Sequence, residues 1–277
     1  MNRTAWAVAL FVAVLAAACT GADADYRDSA SASDVVARVE KGEGSRPDIT
    51  VAAASDLRLA LSDLRPALEA ACSARLTVVY GSSGQFARQL KAGAPFDLFL
   101  SADSAYADTV ERAGRAAKGG LAQYARGRLA LLIRNGLALP EGLAALSDPK
   151  FRRISIANPD HAPYGRAARD ALERTGILAD VEGLLVLADN AQAAVDYVLS
   201  GNVDAGIVSL ALIVDQPSSR YLAIDPGLHE PLDQTGVVIA KTGAELTARC
   251  VLQELVSDPV QARLREYGFG PPGATAE

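Results

Sequence analysis

Four short stretches of this chain set a hydroxyl, amide or tyrosyl residue where an apolar run or its following loop gives way to a helical pattern: Ser55-Asp56, Ser82-Ser83-Gly84, Tyr164-Gly165 and Asn190-Ala191. A helix start carries unpaired backbone N–H groups and roughly half a positive charge, so it holds an anion without a cationic side chain. Serine and asparagine there are also ordinary caps, and any one of the four taken alone reads as a cap. Four in matched positions, two in each half of the pattern, read together as one anion site. No Lys or Arg stands at the turns themselves; Arg88 and Arg166 lie just inside the helices. An oxyanion held this way needs about five to seven donors, because each bond to a charged group contributes roughly 1.5–3 kcal/mol against a desolvation cost of several kcal/mol. Hydroxyls from Ser55, Ser83 and Tyr164, added to the backbone groups, supply them. Donors alone favour a fully deprotonated oxyanion, whereas hydrogen phosphate requires an acceptor as well.

The elements that must position these turns follow from periodicity. ITVAAA from Ile49, LTVVYG from Leu76 and DLFLSA from Asp97 are apolar runs that read as buried strands. Between them Leu57, Ala60, Leu61, Leu64 and Leu68 recur at helical spacing, with Ser55 or Asp56 as cap and Pro66 expected to kink or split the helix. Phe86, Leu90 and Gly93 mark a second helix, and Asp103 caps a third that ends near Gly114. The pattern restarts near Gly127 with RLALLIR from Arg128, RISIA from Arg153, a helix from about Arg166 to Thr175, LLVLA from Leu184, a helix after Asn190 and DAGIVSLAL from Asp204. GVVIA from Gly236 is followed by two C-terminal helices. Strands alternating with helices predict α/β architecture, mainly parallel sheets flanked by helices, with ligands at the carboxyl ends of the strands. Two blocks of the same grammar, with crossings near Gly127 and Ile224–Leu228, predict two lobes that close on something between them.

The chain has 277 residues, is 50% hydrophobic and carries a formal charge of −6, which argues against a nucleic-acid surface. Met-Asn-Arg3 followed by an apolar run from Ala5 to Ala18 reads as a signal peptide, so a periplasmic or other extracytoplasmic location is expected. Leu15-Ala16-Ala17-Ala18-Cys19 resembles a lipobox with the leucine one place too far from the cysteine, so lipidation at Cys19 and ordinary cleavage both stand. Residues 20–47, rich in Ala, Ser, Asp and Gly, read as a tether, with Val35, Val36 and Val39 able to form one short turn. Cys72 and Cys250 suit either a disulfide of an exported protein or two buried apolar positions. The expected division is 1–19 leader, 20–47 tether, 48–125 with 226–270 as lobe 1, 126–225 as lobe 2, and 271–277 as tail.

The motifs AAASDL, GSSGQFARQ, GAPFDLFLSAD, ANPDHAPYGRAA and ADNAQAAVDYVLSGNVDAGIV resemble the molybdate-binding proteins of bacterial ABC importers, over essentially all of Ile49 to Phe269. The resemblance implies a two-lobed periplasmic-binding fold of type II, holding molybdate or tungstate between the lobes with no bond from protein to metal. It implies ligand donors at Ser55, Asp56 (through its N–H), Ser83, Tyr164 and the N–H of Ala191. A monomer without a cofactor, working with an ABC permease in the membrane, is likewise implied. Two departures stand out. Where some members have an oxyanion-binding tyrosine this chain has Ser209, leaving Tyr164 to take the role. Asp56 places a carboxylate beside the site; it would repel a dianion or accept a proton from phosphate, and is expected to point outward as a first-turn acid. His161 is read as structural.

Two alternatives stand beside capture of molybdate or tungstate. The site could hold another tetrahedral oxyanion, phosphate or sulfate. A hydrolase using Ser55 or Ser83 would need a base, and with His161 and His229 as the two histidines no triad pattern, G-x-S-x-G elbow or P-loop is present, so a non-enzyme is expected.

Overall fold

The computed structural model describes residues 46–273. The expected leader, Cys19, the tether up to residue 45 with its turn at Val35–Val39, and residues 274–277 lie outside them. Among the described residues the strands are, in chain order, β1 (Asp48–Ala54), β2 (Arg75–Gly81), β3 (Leu98–Ser101), β4 (Ala116–Gly127), β5 (Leu129–Ile133), β6 (Ile154–Ala157), β7 (Leu185–Ala188), β8 (Ala205–Ser209), β9 (Tyr221–Ala223) and β10 (Leu232–Ile239). They form two five-stranded sheets, ordered β2-β1-β3-β10-β4 and β7-β6-β8-β5-β9.

The two sheets share one plan. In the first, β1 pairs parallel with β2 and β3, while β10 runs antiparallel between β3 and β4. In the second, β6 pairs parallel with β7 and β8, while β5 runs antiparallel between β8 and β9. Each sheet is therefore mixed, with one reversed strand among four that share a direction. The reversed strand joins the sheet by the chain's crossings between lobes, β4 to β5 over a single residue and β9 to β10 over the turn Pro226–Leu228.

Helices cover the faces because the strands are apolar on both sides. In β1, Ile49, Val51 and Ala53 face one core while Ala52 faces the other. The first core is completed by α1 (Arg58–Ala71), whose Leu57-Leu61-Leu64-Leu68 stripe starts in the preceding turn, and by α7 (Glu245–Leu255) and α8 (Asp258–Glu266). The second core is completed by α2 (Ser83–Lys91) and α3 (Ser104–Arg112), through Phe86, Ala87, Leu90, Ala107 and Val110. The other lobe packs α4 (Pro163–Arg174), the short α5 (Leu178–Val181) and α6 (Ala191–Leu199) on its sheet. Cys72, at the end of α1, forms a disulfide with Cys250 of α7, with Cα atoms 5.7 Å apart, which decides between the two readings of that pair.

Three local expectations change. Of the kink or split expected at Pro66, the split does not occur, and α1 runs unbroken through the proline; burial of the leucine stripe outweighs the lost backbone bond. α4 begins at Pro163, three residues before the expected start, using proline at the first turn where no N–H is required. β4, between Gly114 and Gly127, is a twelve-residue strand that the sequence pattern did not announce.

Candidate functional site

The four strand-to-helix turns meet. Ser55 and Asp56 follow β1 in a 3-10 turn that leads into α1, and Ser82 and Ser83 follow β2 into α2. Tyr164 opens α4 in the segment after β6, and Ala191 opens α6 after β7. All leave the carboxyl ends of parallel strands, the edge where an α/β sheet presents its ligand sites. Ser55, Asp56, Ser82, Ser83, Tyr164 and Ala191, with Ala54, Gly81, Ala102, Ala162 and Pro163, line one narrow cavity of about 10 Å³ between the lobes. All five residues singled out as ligand donors are thus brought to one wall. None of the lining residues is a lysine, arginine or histidine.

The hydroxyls are oriented by backbone donors. Ser83 Oγ accepts from Ala102 N–H at 3.0 Å, and Ser55 Oγ accepts from Gln192 N–H of the opposite lobe at 3.3 Å. Each oxygen already receives a bond, so each hydroxyl proton is left to donate into the cavity. Neither serine caps its own helix: no side-chain cap bond occurs at the 3-10 turn, α1 or α2. Asn190, by contrast, is a cap, accepting from Ala193 N–H at 3.1 Å. The N–H of Ala191, in the first turn of α6, has no partner within its helix.

Asp56 departs from the outward orientation expected of it. It is 1% exposed, and its Oδ2 accepts from the Tyr164 hydroxyl at 3.0 Å and from Gln234 Nε2 at 2.9 Å. Tyr124, fully buried on β4, donates to Gln234 Oε1 at 3.2 Å and so fixes which way that amide faces. Oδ1 of Asp56 is buried without a partner. Burial pushes the carboxyl up to about 6, while the bonds from Tyr164 and Gln234 and the nearby N–H groups of Asp56 and Leu57 pull the other way by less. Burial and the charge of Asp56 together hold the Tyr164 hydroxyl well above its ordinary value. The Tyr164 proton is therefore committed to Asp56 and is not left for a ligand. Ser209 is fully buried at the end of β8.

Sequence reasoning missed Gln234 and Tyr124, both on strands that reach Asp56 only through sheet pairing. It also missed how the lobes lock. Ser82 Oγ donates to the His161 carbonyl at 2.5 Å, and Gly84 N–H donates to the same oxygen at 2.9 Å. A Cβ on Gly84 would stand 2.6 Å from that oxygen, so only glycine admits the contact. Arg166 of α4 forms an ion pair with Asp103 and donates to the Tyr106 hydroxyl at 2.6 Å. Since Ser82 donates to the carbonyl, His161 Nδ1, 3.0 Å from the same hydroxyl, is not placed as its base. His229 bonds the Glu230 carbonyl instead.

Two lobes that meet over a cavity of hydrogen-bond donors make a receptor for a small solute. The family described as bacterial extracellular solute-binding protein matches residues 49–270. The molybdate-binding protein ModA of Rhodobacter capsulatus is 30% identical over 195 residues, 70% of this chain and 77% of that protein. ModA of Azotobacter vinelandii is 27% identical over 226 residues, 80% of this chain and 90% of the relative. The solved Azotobacter vinelandii periplasmic molybdate-binding protein superposes with a TM-score of 0.75, at 27% identity, covering 81% of this chain and 99% of that one. The chain belongs to the bacterial extracellular solute-binding proteins, in the ModA family, and is a binding protein rather than an enzyme.

Proposed function

We propose that this protein captures molybdate or tungstate in the interlobe cavity and delivers it to an ABC permease, with lobe 1 formed by 48–125 and 226–270 and lobe 2 by 126–225. The observation that carries this reading is the convergence of Ser55, Ser83, Tyr164 and Ala191, from turns of both lobes, on one cavity without a cation. Relatives named for molybdate binding support it. The contacts are the Ser55 and Ser83 hydroxyls with the N–H groups of Asp56, Tyr164 and Ala191. All of them are assembled only when the lobes are together, so binding shifts an open–closed equilibrium, and the permease reads the closed surface. An extracytoplasmic place of work accords with the family, and a lipid anchor at Cys19 would keep the receptor beside its permease.

Isothermal titration with molybdate, tungstate, sulfate and phosphate tests the reading. The expected result is micromolar or tighter binding of the first two, about −8 kcal/mol, with the others at least about tenfold weaker. Ser83→Ala should weaken molybdate by roughly 1.5–3 kcal/mol, the worth of one bond to a charged group. Preference for phosphate would sink the molybdate assignment. Phosphate is the second reading, favoured by one observation: Asp56 supplies the acceptor that a protonated oxyanion requires.

A further inference from the structure

The wall of the cavity is built of donors, with one exception. Asp56 lines it, is 1% exposed, and has one oxygen saturated by Tyr164 and Gln234 and the other, Oδ1, buried with no partner. Among the described residues no cationic side chain balances its charge; the hydrogen bonds of Tyr164 and Gln234 and the N–H groups of Asp56 and Leu57 offset only part of the cost of burial. The titratable groups that face it are the hydroxyls of Tyr164 on α4 and Tyr124 on β4, both held neutral by burial. The 3-10 turn Leu210–Leu212 carries no ionisable side chain, and on α6 the acid Asp196 bonds Gln192 at the surface. Among the described residues no Lys, Arg or His forms an ion pair or hydrogen bond with Asp56. Two negative groups enclosed side by side in a dry space do not both stay ionised; a single proton shared between them removes the repulsion and supplies a hydrogen bond.

We propose that this site takes up its oxyanion together with one proton, held in an O–H···O hydrogen bond between Asp56 Oδ1 and a ligand oxygen. The inference rests on the reading of the cavity as the oxyanion site. No covalent bond other than O–H changes: the proton comes from solvent or arrives on the ligand. With the dianion of a stronger acid, such as molybdate, the proton sits on Asp56 and turns the one acceptor of the wall into a donor. With hydrogen phosphate the ligand carries the proton, and Asp56 stays ionised to accept it. Burial already raises the Asp56 carboxyl in the empty site, and an enclosed anion raises it further. Asp56 thus sets which protonation state of a tetrahedral oxyanion the site recognises.

Calorimetric titration of the wild-type protein with molybdate at pH 8, in two buffers of different ionisation enthalpy, counts the protons taken up. About one per molybdate is expected, with affinity falling about tenfold per pH unit above neutrality. Phosphate should bind with little proton uptake. Asp56→Asn should remove the molybdate slope, tighten molybdate at pH 8 by about tenfold or more, and weaken phosphate. Molybdate bound with no proton exchange and equal affinity at pH 6.5 and pH 8 overturns this inference while leaving the oxyanion reading intact. A protein that binds only phosphate overturns the molybdate reading but keeps the shared proton if Asp56→Asn weakens it. A protein that binds none of the four oxyanions overturns both.

Discussion

Asp56→Asn also probes the empty protein, independently of any ligand. The wild-type carboxyl moves from an ordinary 3.8 to about 6 on folding because it is buried. Between those values the native state holds a proton that the unfolded chain has lost, so stability falls as pH rises through the window and stays low above it. A shift of about two units, at about 1.4 kcal/mol each, costs the folded state about 3 kcal/mol at pH 8 but only about 0.5 kcal/mol at pH 4, which lies barely above the unfolded value. Asparagine keeps an oxygen for Tyr164 and Gln234 and has no charge to bury. Whatever constant offset the amide introduces, the stability of the variant relative to wild type should rise by about 2.5 kcal/mol from pH 4 to pH 8. For a chain of this size that is roughly 5–10 °C in relative Tm. Thermal unfolding of both proteins, ligand-free, across that range gives the result. A gap between them that is constant with pH would refute the claim that Asp56 is a buried acid without a cationic partner.

Two other changes test the scaffold. Replacing Cys72 and Cys250 by serine opens a loop closed over a separation of 178 residues; a loss of about 2–5 kcal/mol in denaturant unfolding is expected, with oxyanion affinity unchanged because neither cysteine lines the cavity. Gly165→Ala would drive a Cβ into the Ala157 carbonyl and within 2.8 Å of Pro159 N, backbone that has no room to yield; a loss of about 3 kcal/mol or more is expected, and an unchanged Tm would show that the start of α4 is looser than described.

The parts of this fold that announce themselves in the sequence are those buried on both faces. ITVAAA, RLALLIR and GVVIA are continuous apolar runs because helices cover both sides of the sheet. β4 escaped because Lys118, Gly119 and Gly120 interrupt its apolar pattern and its ladder with β10 is broken by register shifts. The turns of the site were legible for a local reason: each lies where a strand period changes to a helical one. What chain order hid was the surroundings of Asp56. Its partners lie 108 and 178 residues away, and only sheet pairing and lobe contact bring them in. The same first-turn position that suggests a solvent-facing acid in an isolated helix becomes an interior one when α4 and β10 close over it.

The order of strands also governs when the molecule can become whole. β10 fills the place between β3 and β4, yet it is made after the entire second sheet. As the chain emerges from its N-terminus, the second sheet has every strand it needs by Ala223, whereas the first still has a gap in its middle. Until residue 239 appears, β3 and β4 present unpaired edges, and Cys72 awaits a partner still farther along. The late-made sheet thus has all its strands first, while the early-made one waits with two open edges. A chain cut just before β10 keeps all four turns of its site on paired strands, β1 with β2 and β6 with β7, and still lacks Gln234, which bonds Asp56.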